Sequence, residues 1–116
     1  MICSRWEVAA VPFPFSDQPG SKRRPALVVS RKNFNRHGHT ILAMITTRAR
    51  APWPGDTPLA DFSRAGLRVS CLVRLKLFTL DNRLIVKKIG TLSQDDRKAA
   101  GASLRRFLFP SGATGD

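Results

Sequence analysis

The chain has 116 residues, of which 42% are hydrophobic and 8% aromatic, with 20 Lys and Arg against 8 Asp and Glu for a net charge of +12. That length suits one domain with a real core and not two. The hydrophobic content excludes a disordered chain, and the charge selects an anionic partner: nucleic acid, an acidic protein or an anionic surface. The apolar runs at residues 8–15 and 41–45 fall well short of the ~18 residues a membrane span needs. Arg5 and Glu7 interrupt any signal-peptide pattern. Cys3 and Cys71 are too few for a disulfide framework or a zinc site, and the dispersed carboxylates offer no set for a two-metal nuclease. The expectation is a cytoplasmic protein of a single domain over residues 1–116, with a core of about 5–109 and a frayed tail at 110–116.

In chain order, residues 5–13 read as a strand that ends, or lies at an edge, where Pro12 and Pro14 remove ladder donors. Residues 16–23 form a polar loop. The valine-rich run 25–30 reads as a buried strand, 31–39 as a basic connection, and 40–47 as a third strand. Residues 48–57 form a long loop around Trp53. Alternation over 68–76 puts Val69, Cys71 and Val73 on one face and Arg68, Ser70, Leu72 and Arg74 on the other. A brief strand at 78–80, a turn at Asp81-Asn82 and a last strand at 84–89 follow. The only expected helix is C-terminal: Ser93 caps it, Asp95 and Asp96 suit its first turn, and Ala100, Leu104, Phe107 and Leu108 form an apolar stripe. The whole is mainly β with a C-terminal helix, a small curved barrel with the helix packed on it.

Three blocks carry a resemblance. They are Trp6-Glu7-Val8 with residues 11–17, the run Lys22-Arg23-Arg24-Pro25-Ala26-Leu27-Val28-Val29, and Ile41-Leu42-Ala43-Met44-Ile45-Thr46-Thr47. With Val73-Arg74, residues 76–81 and Lys88-Ile89-Gly90 in the same order, the chain resembles the MazF/PemK-type toxins of type II toxin–antitoxin systems. The resemblance implies an SH3-like barrel, a homodimer, and metal-independent cleavage of single-stranded mRNA that arrests growth. It also implies an acidic antitoxin whose disordered tail folds over the RNA site.

The resemblance places a catalytic pair on Arg24 and Thr46, and a third position on Arg74. Some relatives carry an aspartate two residues beyond that arginine. Here Lys76 stands there, which leaves the general base unassigned. The chemistry suits these residue types: RNA supplies its own 2′-hydroxyl nucleophile, and a guanidinium that stays charged can hold the phosphorane oxygens. The products would be a 2′,3′-cyclic phosphate and a 5′-hydroxyl, with neither metal nor cofactor. Around the pair, Asp17, Ser21, Lys22, Arg23, Trp53, Arg74 and Lys76 are the candidate RNA-binding residues.

Each has a plainer reading: a solvated barrel exterior for Arg74, and core or interface packing for Trp53 against base stacking. His37 and His39 lack a third metal ligand and are candidates for a general base or for ordinary loop positions. Asp95 and Asp96 read as helix-capping charges, and Cys71 as a buried thiol. Two other functions fit the same features: a gyrase poison of the same fold, and a module that binds RNA without cutting it.

Overall fold

The computed structural model describes residues 1–13, 22–47 and 51–109. The expected tail at 110–116, most of the 16–23 loop and the first residues of the 48–57 loop lie outside that set.

Six strands form one antiparallel sheet: β1 (Glu7–Phe13), β2 (Lys22–Val28), β3 (His39–Thr47), β4 (Thr57–Pro58), β5 (Cys71–Asp81) and β6 (Lys87–Thr91). Their order across the sheet is β4-β5-β3-β2-β1-β6. The sheet curls into the half-barrel expected of an SH3-like fold, and the C-terminal helix α2 (Gln94–Leu108) packs on it.

Curling buries both faces. Val8, Leu27, Ala43, Ile45 and Val73 form one core with Leu92 and Ala100. Ala9, Val11, Ala26, Val28 and Leu42 form the other with Cys3, Leu80 and Ile85. Residues of opposite parity on the same strands thus go to different cores, as a period of two requires. Both cysteines are buried, Cys71 among them as expected.

The prolines are accommodated by the ends of ladders. β6 pairs with β1 only over Glu7–Ala10, so Pro12 lies where β1 retains β2 alone as a partner. Pro25 pairs across from Ala10, while the β2–β3 ladder begins at Ala26 opposite Met44. A residue without an N–H ends a ladder at little cost.

Several boundaries differ from the sequence reading. Residues 71–81 are one strand of 11 residues, with a bulge where Ala43 faces Leu77 and the adjacent Met44 faces Arg74. The bulge absorbs Leu75 and Lys76, which broke the alternation and made one strand look like two. Val69 lies outside the strand and is 54% exposed. The last strand begins at Lys87 and not at residue 84, because Asn82–Leu84 form a 3-10 turn capped by the Asp81 carboxylate, which accepts from Arg83 N.

A second helix, α1 (Lys32–Asn35), interrupts the expected loop. It places the buried Asn35 side chain where Nδ2 donates to Cys3 O at 2.9 Å and to Ser30 O at 3.1 Å. Asn82 Nδ2 donates in turn to Asn35 O at 2.6 Å, and Thr40 Oγ1 donates to Asn82 Oδ1 at 2.7 Å. Buried polar groups must be satisfied, and this network ties three distant segments together.

Ser93 caps α2 by accepting from Asp96 N, as expected. Asp96 does more than balance the helix dipole: it is buried, and its carboxylate accepts from Ala60 N at 2.8 Å and Asp61 N at 3.0 Å. Ala100 and Leu104 are buried as the stripe requires, whereas Phe107 and Leu108 are exposed at 47% and 46%.

Candidate active site

Strand register builds the site. Ala26 faces Met44 across β2 and β3. Arg24 stands two positions before Ala26 on β2 and Thr46 two positions after Met44 on β3, past the last pair of the ladder, and a period of two gives each the sheet face of that neighbour. Beyond the ladder the strands enclose a cleft of about 440 Å³ lined by both Arg24 and Thr46. Its volume lies in the range of small-ligand sites, ~300–1,000 Å³. The structure therefore brings together two residues that lie 22 positions apart.

The rest of the lining is mostly apolar. Val11 and Phe13 of β1, Met44 of β3 and Phe78 of β5 form walls. Leu67, Arg68 and Val69 come from the turn before β5, and Cys71 from its first residue. Burial pushes the Cys71 thiol above its ordinary range, so it behaves as an apolar wall group. Arg68, Val69 and Thr47 were missed as site residues from sequence. The sequence alternation puts Arg68 and Val69 on opposite faces of a strand, a position in which they could not share one rim.

The Arg24 guanidinium has no hydrogen-bond or ion-pair partner among the described residues, and neither has that of Arg68. Glu7, Asp56, Asp81 and Asp96 are engaged elsewhere. Burial works against ionisation of Glu7, but the hydrogen bonds from Lys88 and Ser4 N outweigh it and hold the carboxyl below its usual range. Asp81 is held down at about 2 by its hydrogen bonds from the Arg83 side chain and backbone. Among the described residues, no three His, Cys, Asp or Glu side chains come together as metal ligands.

Lys22 and Arg23 are exposed and stand directly before Arg24 at the start of β2, not in a loop. Asp17 and Ser21 lie outside the described residues. Arg74, Lys76 and Trp53 form a separate cluster that does not line the cleft. Arg74 Nε donates to Asp56 Oδ1 at 3.1 Å and Nη2 to Asp56 Oδ2 at 2.9 Å. Asp56 Oδ2 also accepts from Trp53 N at 2.9 Å, which sets the indole 5.5 Å from the Arg74 guanidinium and 4.8 Å from Lys76 Nζ. Trp53 remains 41% exposed, a packed ring with cations against it. His37 lies in the turn after α1 and His39 opens β3; neither lines the cleft.

No helix among the described residues is long and apolar enough to cross a membrane. No curated protein sequence matches the chain. Solved structures do. A MazE–MazF complex from Deinococcus radiodurans is 24% identical, with a TM-score of 0.75, over 96% of this chain and 100% of the other. An endoribonuclease in complex with its cognate antitoxin, from a mycobacterial species, is 19% identical, with a TM-score of 0.70, over 98% and 99%. The Mycobacterium tuberculosis toxin MazF-mt6 is 20% identical, with a TM-score of 0.69, over 86% and 93%. At these identities the likeness is one of fold. The family is fixed by sequence: residues 4–108 match the PemK-like, MazF-like toxin of type II toxin–antitoxin systems, and the chain belongs to that family.

Proposed function

We propose that the chain is an endoribonuclease toxin that cleaves single-stranded RNA without a metal ion. The observation that carries this reading is the convergence of an unpaired guanidinium, Arg24, and a hydroxyl, Thr46, on one open cleft. The scissile phosphate sits between them. Arg24 donates to its non-bridging oxygens and keeps its charge as the phosphorane forms. Thr46 Oγ1 donates to the same phosphate and fixes its orientation. The 2′-oxygen then bonds to phosphorus and the bond to the 5′-oxygen breaks. Loss of the 2′-hydroxyl proton and protonation of the leaving oxygen complete the balance, leaving a 2′,3′-cyclic phosphate and a 5′-hydroxyl.

Lys22 and Arg23 meet the phosphates that flank the cleaved one, as do Asp17 and Ser21 the adjoining nucleotides. Trp53, positioned by Arg74 and Asp56 and flanked by Lys76, offers its exposed ring to an unpaired base. The partner that silences the toxin is an acidic antitoxin, attracted by the net charge of +12. Phe107, Leu108 and Phe109, exposed in a row at the end of α2, are the apolar surface a homodimer would cover.

The test is incubation of the purified protein with single-stranded RNA in EDTA, with mapping of the new ends. New 5′-hydroxyl ends opposite cyclic phosphates support the reading. RNA left intact by a folded protein refutes it, and would direct attention to gyrase or to RNA binding alone.

A further inference from the structure

The cleft holds a second cation that the catalytic pair does not use. Arg68 reaches its rim from the turn before β5, while Arg24 reaches it from β2. Arg24 and Arg68 both lack a carboxylate partner among the described residues, in contrast to Arg74, Arg83 and Lys88, each of which has one. Two guanidiniums without a carboxylate partner at one small cleft make it a place of positive potential, to which an anion is drawn.

The turn that carries Arg68 is held in place. Gly66 has φ +82°, and a Cβ there would fall 2.0 Å from Ile89 O, so the turn lies directly against β6. Gly66 N donates to Ser63 O at 2.9 Å and Leu67 N to Phe62 O at 3.0 Å. Ala65 is fully buried on one side of Arg68, and Cys71 is buried on the other. Arg68 is thus an exposed cation on a fixed support, as a preorganised phosphate contact requires. Its neighbour Val69 adds an apolar edge to the same cleft, whose lining also includes Met44. A guanidinium beside an apolar slot suits one nucleotide: the phosphate on the cation, the base against the apolar surface.

We propose that Arg68 grips a second phosphate of the RNA, next to the one held by Arg24, and that Val69 and Met44 receive the base between the two phosphates. The strand's identity rests on the ribonuclease reading above; the phosphate contact is measurable without cleavage. Arg68 is a binding residue, and its loss acts on affinity and not on the chemical step.

The experiment measures binding of a 2′-O-methylated single-stranded RNA, which lacks the nucleophile, as a function of salt. Each phosphate contact on a single strand contributes about 0.7 to the slope of log K against log salt. Arg68→Ala is expected to weaken binding about tenfold and to reduce the slope by about 0.7, with Arg68→Lys restoring the slope. Lys98→Ala, an exposed charge on α2, serves as the control and should leave both nearly unchanged. With cleavable RNA, Arg68→Ala should raise KM about tenfold with kcat within about twofold of the wild type.

An Arg68→Ala slope no different from that of Lys98→Ala overturns the proposal even if the wild type cuts RNA. An Arg68-dependent slope in a protein that cuts nothing upholds it and refutes the ribonuclease reading. A wild type that does not bind the RNA refutes both.

Discussion

Arg74 is locked to Asp56 by two parallel hydrogen bonds, of 3.1 and 2.9 Å, and Nη2 donates further to Ala51 O at 3.2 Å. The guanidinium fork is therefore filled by the protein itself. The pair fixes residues 51–56 against β5 and thereby sets the Trp53 ring. Arg74 acts on that ring, and through it on any base the ring meets.

This pair makes Trp53 sensitive to acid. The hydrogen bonds from Arg74 pull the Asp56 carboxyl below its ordinary value of 3.8, against a smaller opposing effect of burial. A group depressed in the folded state contributes stability above its unfolded pKa and loses it as pH falls through the folded one. The indole environment of Trp53 should hold from neutral pH down to about pH 4 and change below it. The 19F resonance of fluorotryptophan at position 53, assigned by a Trp6→Phe variant, reports this. In Asp56→Asn the resonance should take its acid-form position at neutral pH. An unchanged resonance in that variant would show that Asp56 does not set the ring.

Asp96 joins α2 to the 59–61 segment through two backbone N–H groups. Asp96→Ala leaves those donors without a partner in a buried place and should cost about 2–3 kcal/mol. Urea unfolding checks it: a loss below ~0.5 kcal/mol, the range of ordinary surface substitutions, would mean the bonds are dispensable.

Gly90 and Gly66 allow the 65–66 turn to lie on β6. A Cβ at Gly90 would fall 2.2 Å from the Ala65 carbonyl carbon, a backbone atom that has little room to yield. Gly90→Ala should destabilise the fold by at least ~2 kcal/mol through forced backbone movement. Thermal unfolding is the measurement, and an unchanged melting temperature would contradict the close approach.

The strand pattern was legible because apolar runs and period-two alternation survive in β1, β2, β3 and the start of β5. The pairing of Arg24 with Thr46 was not a matter of pattern. It entered through family resemblance, and the physical reason both line one cleft is that each lies just past the end of the β2–β3 ladder. What the sequence hid has identifiable causes. The bulge at Leu75 and Lys76 broke the alternation of β5, and a one-turn helix at Lys32–Asn35 is too short to leave a periodic signature. Asp96 looked like a helix-cap charge because its partners lie 35 and 36 positions earlier in the chain. Arg68 looked like part of a strand face because nothing in the local pattern shows that the strand starts only at Cys71.

In the proposed reaction Arg24 stabilises a phosphorane in the cleft. Removing one such electrostatic donor costs about 10²–10³-fold in kcat. Single-turnover cleavage of a short RNA in EDTA, comparing wild type with Arg24→Ala at matched folded concentration, measures it directly. A loss of that size is expected, with 5′-hydroxyl ends from the residual reaction. An Arg24→Ala protein that cuts at the wild-type rate would contradict it.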